Sequence, residues 1–306
     1  MSDEEDNLSV TWIEQDPLNH DIWYYSTGEV RGNSAGISGV GLFKSTDGGK
    51  TFDLLPSTIQ NDFFSTWRVV CSKTEPNTLF VASREGLWIS EDGGEFFDKI
   101  IFREVSDIEM FDDGSIMLGL RELGVYYSEG KSTNYDFFDL DIEFSTSTFQ
   151  RPGRVEVTYC DSFPNVVYAA IENTRTDSTD SNGNRFTVRG ILDIFRSNDK
   201  GQTWEAVPRF DSTFLIDQVN FRGDSISLGT GQAWYDLALE VHPSNPELLI
   251  FGVNSSAYSF NGGQKWRSFD HHTRMGTAVA LENRGHADRH LFLIPDQDSS
   301  ILYVMS

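Results

Sequence analysis

The chain has little of what most functional classes need. It holds two cysteines, Cys71 and Cys160, and no Cys-x-x-Cys pair, so a zinc or redox site of that type is excluded. Each cysteine sits in a strand-like apolar stretch, which predicts buried free thiols rather than a disulfide framework. No run of about 18 apolar residues is present, so no membrane-spanning helix is expected. Basic residues are scarce: 24 Lys and Arg stand against 47 Asp and Glu, for a net charge of −23. Such a surface repels phosphate backbones and anionic lipid headgroups, which argues against nucleic-acid and membrane-surface binding. The same charge keeps the chain soluble and attracts cations or basic partners. No P-loop, His-Glu-x-x-His or Gly-x-Ser-x-Gly motif occurs. The start, Met1-Ser-Asp-Glu-Glu-Asp6, has neither a basic region nor an apolar core, so no signal peptide is read there. Helical periodicity is missing almost throughout, which places the fold in the all-β class.

What is present is a repeat. Phe43-Lys-Ser-Thr-Asp-Gly-Gly-Lys-Thr-Phe52 returns as Trp88-Ile-Ser-Glu-Asp-Gly-Gly-Glu-Phe-Phe97, then as Phe195-Arg-Ser-Asn-Asp-Lys-Gly-Gln-Thr-Trp204. Tyr258-Ser-Phe-Asn-Gly-Gly-Gln-Lys-Trp266 is a fourth copy, with Asn261 in the Asp position, and Tyr126-Tyr-Ser-Glu-Gly130 is a degenerate fifth. The consensus Ser-x-Asp-x-Gly-x-Thr-aromatic describes a hairpin turn: the carboxylate accepts backbone N–H bonds across the loop and the glycine supplies a positive φ. Ser45, Asp47, Gly49, Phe52, Ser90, Asp92, Gly94, Phe97, Ser197, Asp199, Gly201, Trp204, Ser259, Asn261, Gly263 and Trp266 are therefore expected to be structural, not catalytic.

A second repeated element precedes the boxes: a Pro/Asn turn and a short apolar strand, as in Pro17-Leu-Asn19, Pro76-Asn77, Pro164-Asn165 and Pro243-Ser-Asn245. The unit reads as turn, inner strand, strand, box hairpin, outer strand. One such sheet cannot bury both faces alone, and radial stacking gives a β-propeller of four-stranded blades. The count predicts about five blades plus an opening strand at Ser300–Ser306, with an acidic tail at 1–9 and the propeller at 10–306. A ring left open at that point would be completed by a second polypeptide or by further sequence.

These boxes resemble the Asp-box (bacterial neuraminidase) repeats of sortilin-like and xyloglucanase-like propellers. The likeness extends to Tyr25-Ser-Thr-Gly-Glu29 with the following Gly41–Gly49 segment, to Gly231-Gln-Ala-Trp-Tyr-Asp-Leu-Ala-Leu239, and to Gly285-His-Ala-Asp-Arg-His290. It implies the propeller fold, an extracellular or cell-surface setting, and either a glycoside hydrolase or a binder of protein or glycan. Sialidases carry an early Arg-Ile-Pro signature, and Arg151-Pro-Gly-Arg154 is not it. Xyloglucanase-type enzymes open with an Arg-Thr-Asp-like segment, where this chain has Tyr24-Tyr-Ser-Thr-Gly-Glu29. The expectation therefore favours a non-catalytic scaffold over hydrolysis.

Glu29, Asp236 and Asp288 are the acids that hydrolysis would use, since glycoside cleavage needs a facing carboxylate pair. His286, Asp288 and His290 share one face of a strand, where two imidazoles and a carboxylate suit a sugar or a divalent ion; the plainer reading has them lining an inter-blade wall. With Trp234 and Tyr235 they form the candidate ligand-binding set. No cofactor and no resident metal are expected. Two long segments complete the reading: the polar stretch 173–190, and 129–150 with Tyr135, Phe137, Phe138, Phe144 and Phe149, whose aromatics would stack on sugars or cover the degenerate blade.

Overall fold

The computed structural model describes residues 9–30, 37–142, 152–173, 176–179, 185–188, 191–207, 233–253, 256–268, 290–294 and 303–305. Two compact units divide the chain: 1–121 with 125–139, and 122–124 with 140–306.

The first unit holds three antiparallel sheets of four strands in simple meander order. They are β1 (Val10–Gln15), β2 (Trp23–Thr27), β3 (Leu42–Ser45) and β4 (Asp53–Leu54); β5 (Thr66–Cys71), β6 (Leu79–Ser83), β7 (Leu87–Ser90) and β8 (Asp98–Ile101); β9 (Val105–Met110), β10 (Ile116–Leu120), β11 (Gly124–Ser128) and β12 (Phe138–Asp139). In the second unit, β13 (Pro152–Cys160) and β14 (Phe163–Asn173) join β17 (Ile191–Ser197) and β18 (Glu205–Ala206), with a separate hairpin of β15 (Thr176–Thr179) and β16 (Arg185–Val188) between them. The next sheet is β19 (Ala238–His242), β20 (Asn245–Gly252), β21 (Ser256–Ser259) and β22 (Arg267–Ser268), followed by the pair β23 (Leu291–Leu293) and β24 (Tyr303–Met305). Among the described residues the only helical turns are 3-10: Pro56–Thr58, Asn61–Phe63 and Gly130–Thr133.

Burial follows strand position. Two of the second strands, Leu79–Ser83 and Ile116–Leu120, are buried throughout, and this is why they read as apolar runs, whereas β20 is buried only over its second half. Most fourth strands are two residues long, and a short outer strand is a poor template for further pairing. In the first unit, one core lies between the first two sheets: Phe63 packs on Trp88 at 4.8 Å and on Phe97 at 5.2 Å, beside Leu42, Leu55 and Val81. In the second unit the equivalent core gathers Tyr168, Leu239, Phe251 and Trp266. Cys71 and Cys160 are free and buried.

The boxes lie between third and fourth strands. Ser45 Oγ donates to Asp47 Oδ1 (2.8 Å) and accepts from the Asp47 and Gly49 amides (3.3 and 2.9 Å). Asp47 in turn accepts from the Thr51 amide and hydroxyl (2.9 and 2.7 Å). The same serine bonds recur at Ser90, Ser197 and Ser259. These bonds hold the Asp47, Asp92 and Asp199 carboxyls below their ordinary range, the backbone and hydroxyl donors outweighing what burial there is. Each serine is buried, so removing the hydroxyl strands the glycine amide. Ser197→Ala is expected to cost about 1–2 kcal/mol in chemical denaturation, the cost of a lost cap-type bond.

Three expectations are revised. The Pro/Asn turn does not lead into the inner strand; it joins the first and second strands. It co-occurs with the box because the two touch: the residue after each Asx donates its N–H to a turn carbonyl, Gly48 to Asp21 (3.0 Å), Gly93 to Asn77 (2.7 Å), Lys200 to Asn165 (2.9 Å) and Gly262 to Glu247 (2.9 Å). The polar 173–190 segment is in part a hairpin, β15 with β16. Within 129–150, Tyr135 and Phe137 pack on the core of the second and third sheets, because 138–139 supplies the fourth strand of the third sheet rather than interrupting it. Phe138 is exposed, and Phe144 and Phe149 lie outside the described residues.

Candidate functional site

In the second unit, residues from three successive first strands converge. Trp234 and Tyr235 lie in the turn before β19, Asp236 follows them, and His290 stands directly before β23. The Trp234 and Tyr235 ring centroids are 5.6 Å apart, and the His290 ring meets Tyr235 edge-on at 5.0 Å. Asp236 is fully buried, with Oδ1 3.7 Å from His290 Nε2. The turn is held from β13: Arg154 Nη1 donates to the Tyr235 carbonyl, while Nε and Nη2 reach Glu156 Oε1 at 2.9 and 2.7 Å. Glu172, on β14, accepts the Arg154 amide at 2.8 Å. A half-buried Trp–Tyr pair and a 41%-exposed imidazole therefore rest on a fixed ionic base. Such a surface can stack on a ring and hydrogen-bond its substituents.

Of the expected ligand-binding set, the structure brings together Trp234, Tyr235 and His290, with Asp236, one of the acids that hydrolysis would use, beside them. His286 and Asp288 lie outside the described residues. Glu29 belongs to the first unit. It follows Gly28, whose φ of +99° and close approach to the Phe64 carbonyl exclude a side chain, and its carboxylate accepts the Ile37 amide at 3.4 Å. Among the described residues no three metal-ligating side chains lie together.

The first unit carries a polar cluster that the sequence reading missed. Its first strands pair Trp12 with Ser26, Arg68 with Ala82 and Asp107 with Gly119, each just after a β-bulge. Bulges re-aim side chains, and the small partner leaves them room. Arg68 Nη1 bonds Asp107 Oδ1 (2.5 Å), the Ile108 carbonyl (3.0 Å) and Glu109 Oε1 (2.7 Å), and its guanidinium lies 4.2 Å over the Trp12 ring. Glu14 accepts the Trp12 indole N–H (3.2 Å) and the Cys71 amide (3.3 Å). Burial pushes Glu14 up to about 7 and also raises Glu109.

These contacts solve an edge problem. A first strand has an unpaired side, and the preceding strand's side chains fill it: Glu14 takes the Cys71 amide, and Arg68 takes the Ile108 carbonyl. In the second unit Thr158 Oγ1 accepts the Val241 amide in the equivalent register, since Cys71 pairs with Leu79 and Val241 with Leu249. The available signal was a recurring triplet ending in glutamate: Trp12-Ile-Glu14, Asp107-Ile-Glu109 and Arg154-Val-Glu156.

No family model and no curated protein sequence matches the chain. Solved structures do. It is similar to the GH74 xyloglucanase from Xanthomonas campestris (TM-score 0.55, 16% identity, 87% of this chain and 39% of that one) and to the GH74 enzyme of Niastella koreensis (0.53, 17%, 85% and 38%). It is also similar to the GH93 α-L-arabinofuranosidase of Fusarium graminearum in complex with arabinobiose (0.51, 12%, 98% and 93%). The fold is a β-propeller. The chain spans under two-fifths of the length of the two GH74 chains. At these identities the likeness carries the fold alone.

Proposed function

We propose that this chain is a non-catalytic propeller that binds a neutral glycan on the Trp234–Tyr235–His290 surface, in the extracellular setting that the family resemblance implies. The observation that carries the reading is how the box aspartates and the first-strand acids Glu14, Asp107, Glu109 and Glu156 are used. The box aspartates close turns. On the first strands, Glu14 serves the Cys71 amide, Asp107 and Glu109 serve Arg68, and Glu156 serves Arg154. Hydrolysis needs a carboxylate pair facing each other across a cleft, one of them open to an attacking water. Acids already bonded to guanidinium groups or edge amides are spent on structure. The aromatic pair, by contrast, is half-buried and stands beside an exposed imidazole.

A hydrolytic reading draws on one observation. Glu14 is raised to about 7, where a general acid would sit. One experiment separates the two. Xyloglucan oligosaccharides and arabinobiose are titrated calorimetrically, with reducing-end release followed in parallel. Binding without release is expected, with Tyr235→Ala weakening it about tenfold, the worth of one stacking contact. Release that Glu14→Gln or Asp236→Asn abolishes would establish an enzyme instead.

A further inference from the structure

The fourth box differs from the other three complete ones in chemistry as well as sequence. It holds Asn261 where the others hold Asp47, Asp92 and Asp199, and Gly262 follows it. An asparagine before glycine is open to attack by the next backbone nitrogen, because glycine offers no side chain to hinder it. Here the glycine takes a left-handed conformation, which Lys200 also holds at the matching position of the third box. Gly262 has φ +62°, and a Cβ there would lie 2.1 Å from Arg196 Nη1 and 2.8 Å from Glu247 Oε2. Glycine fits this turn with the least strain, and it is also the neighbour that leaves Asn261 chemically vulnerable.

The same fold withholds both reacting atoms. The Gly262 N–H, which must lose its proton to become a nucleophile, is donated to the Glu247 carbonyl at 2.9 Å. The Asn261 side-chain carbonyl is pinned by the Ser259 hydroxyl (2.9 Å) and the Lys265 amide (2.8 Å), and Ser259 Oγ also accepts the Asn261 and Gly263 amides (3.3 and 2.8 Å). We infer that Asn261 is a deamidation site gated by opening of the β20–β21–β22 hairpins.

The step needs only water. Once the Gly262 nitrogen is free, it loses its proton and attacks Asn261 Cγ. The new C–N bond forms, the bond to Nδ2 breaks, and ammonia leaves with the proton, giving a cyclic imide. Water then opens the imide at either carbonyl. One route yields aspartate, the residue that the other complete boxes use at this position, so the hairpin closes again. The other yields isoaspartate, whose extra backbone carbon displaces the bonds to Ser259. The fifth sheet therefore keeps a chemical record of having opened.

The test is peptide mapping by mass spectrometry of the full chain, held in mildly alkaline buffer with and without urea. Conversion at Asn261 is expected to be at least about tenfold slower without urea, the protection that a modest local opening free energy confers. Equal rates would overturn the proposal. Ser259→Ala is expected to speed conversion in native buffer and to leave the rate in urea unchanged; no acceleration would overturn the gating. Asn261→Asp keeps the proposal falsifiable if Ser259→Ala fails to fold. It is expected to melt with the parent, and a collapsed melting temperature would show that the aspartate product does not fit the hairpin.

Discussion

Replacing Arg68 with methionine is expected to destabilise the first unit by about 3–5 kcal/mol, the cost of removing one partner from a buried ion pair. Methionine keeps the length and apolar stem of the side chain but not its charge or donors. Asp107, whose side chain is 1% exposed, then loses its counter-charge, as does Glu109, and the Ile108 carbonyl loses its donor. The Trp12 face loses its cation as well. Lysine is not expected to rescue the variant, because an ammonium lacks the planar fork that stacks on Trp12 while bonding three acceptors. The triple variant Arg68→Met, Asp107→Asn, Glu109→Gln should recover much of the loss, since the penalty lies in the stranded charges rather than in the missing bonds. Thermal and urea unfolding of the three proteins checks this; a loss below about 1 kcal/mol for Arg68→Met would mean that solvent screens the cluster.

The fold was far more legible than the site, and the reason is physical. A box must place one serine, one Asx and one glycine at fixed offsets to close its turn, so Ser45, Asp47 and Gly49 recur as a pattern. The second strands Leu79–Ser83 and Ile116–Leu120 are buried on both faces, so they announce themselves as apolar runs. First strands obey no such rule. Their inner positions face the edge of the next sheet, and any side chain that satisfies that edge will serve: Glu14 does it with a carboxylate and Thr158 with a hydroxyl. The contact is preserved while the residue changes, so the sequence shows variety where the structure shows a constant role. Arg154 is the clearest instance. It was set aside as an absent sialidase motif, yet its guanidinium holds the carbonyl of Tyr235, 81 positions away, and so fixes the aromatic surface proposed to bind the ligand. His290 lies against Tyr235 in the structure, and no spacing rule brings residue 290 to residue 235.

Acidification from pH 8 towards pH 5 is expected to stabilise the first unit, and Glu14 carries much of the effect. Its carboxyl titrates at its ordinary 4.5 in the unfolded chain and at about 7 in the fold, because burial outweighs the Trp12, Cys71 and Arg68 interactions, with the Glu109 charge adding to the rise. The folded protein therefore binds the proton more tightly. The resulting stability is fully present below 4.5 and is lost as pH rises through 7. It amounts to at most about 3 kcal/mol, and about 2 once the partial solvent contact of the strand is allowed for. Glu109 is raised by burial too and works in the same direction, with Arg68 opposing and Asp107 adding to it. Glu14→Gln separates this group from the general relief of a −23 charge. The glutamine oxygen can accept only one of the two donors, Trp12 Nε1 or Cys71 N, so the variant should be about 1 kcal/mol less stable than the parent at pH 5. At pH 8 the parent pays for an ionised buried carboxylate and the variant does not, so the variant should equal or exceed it. Urea unfolding at the two pH values reads the sign directly. A deficit of the same size at both would mean that Glu14 is ionised without cost, and that its bonds to the edge amide and the indole hold a full charge in place.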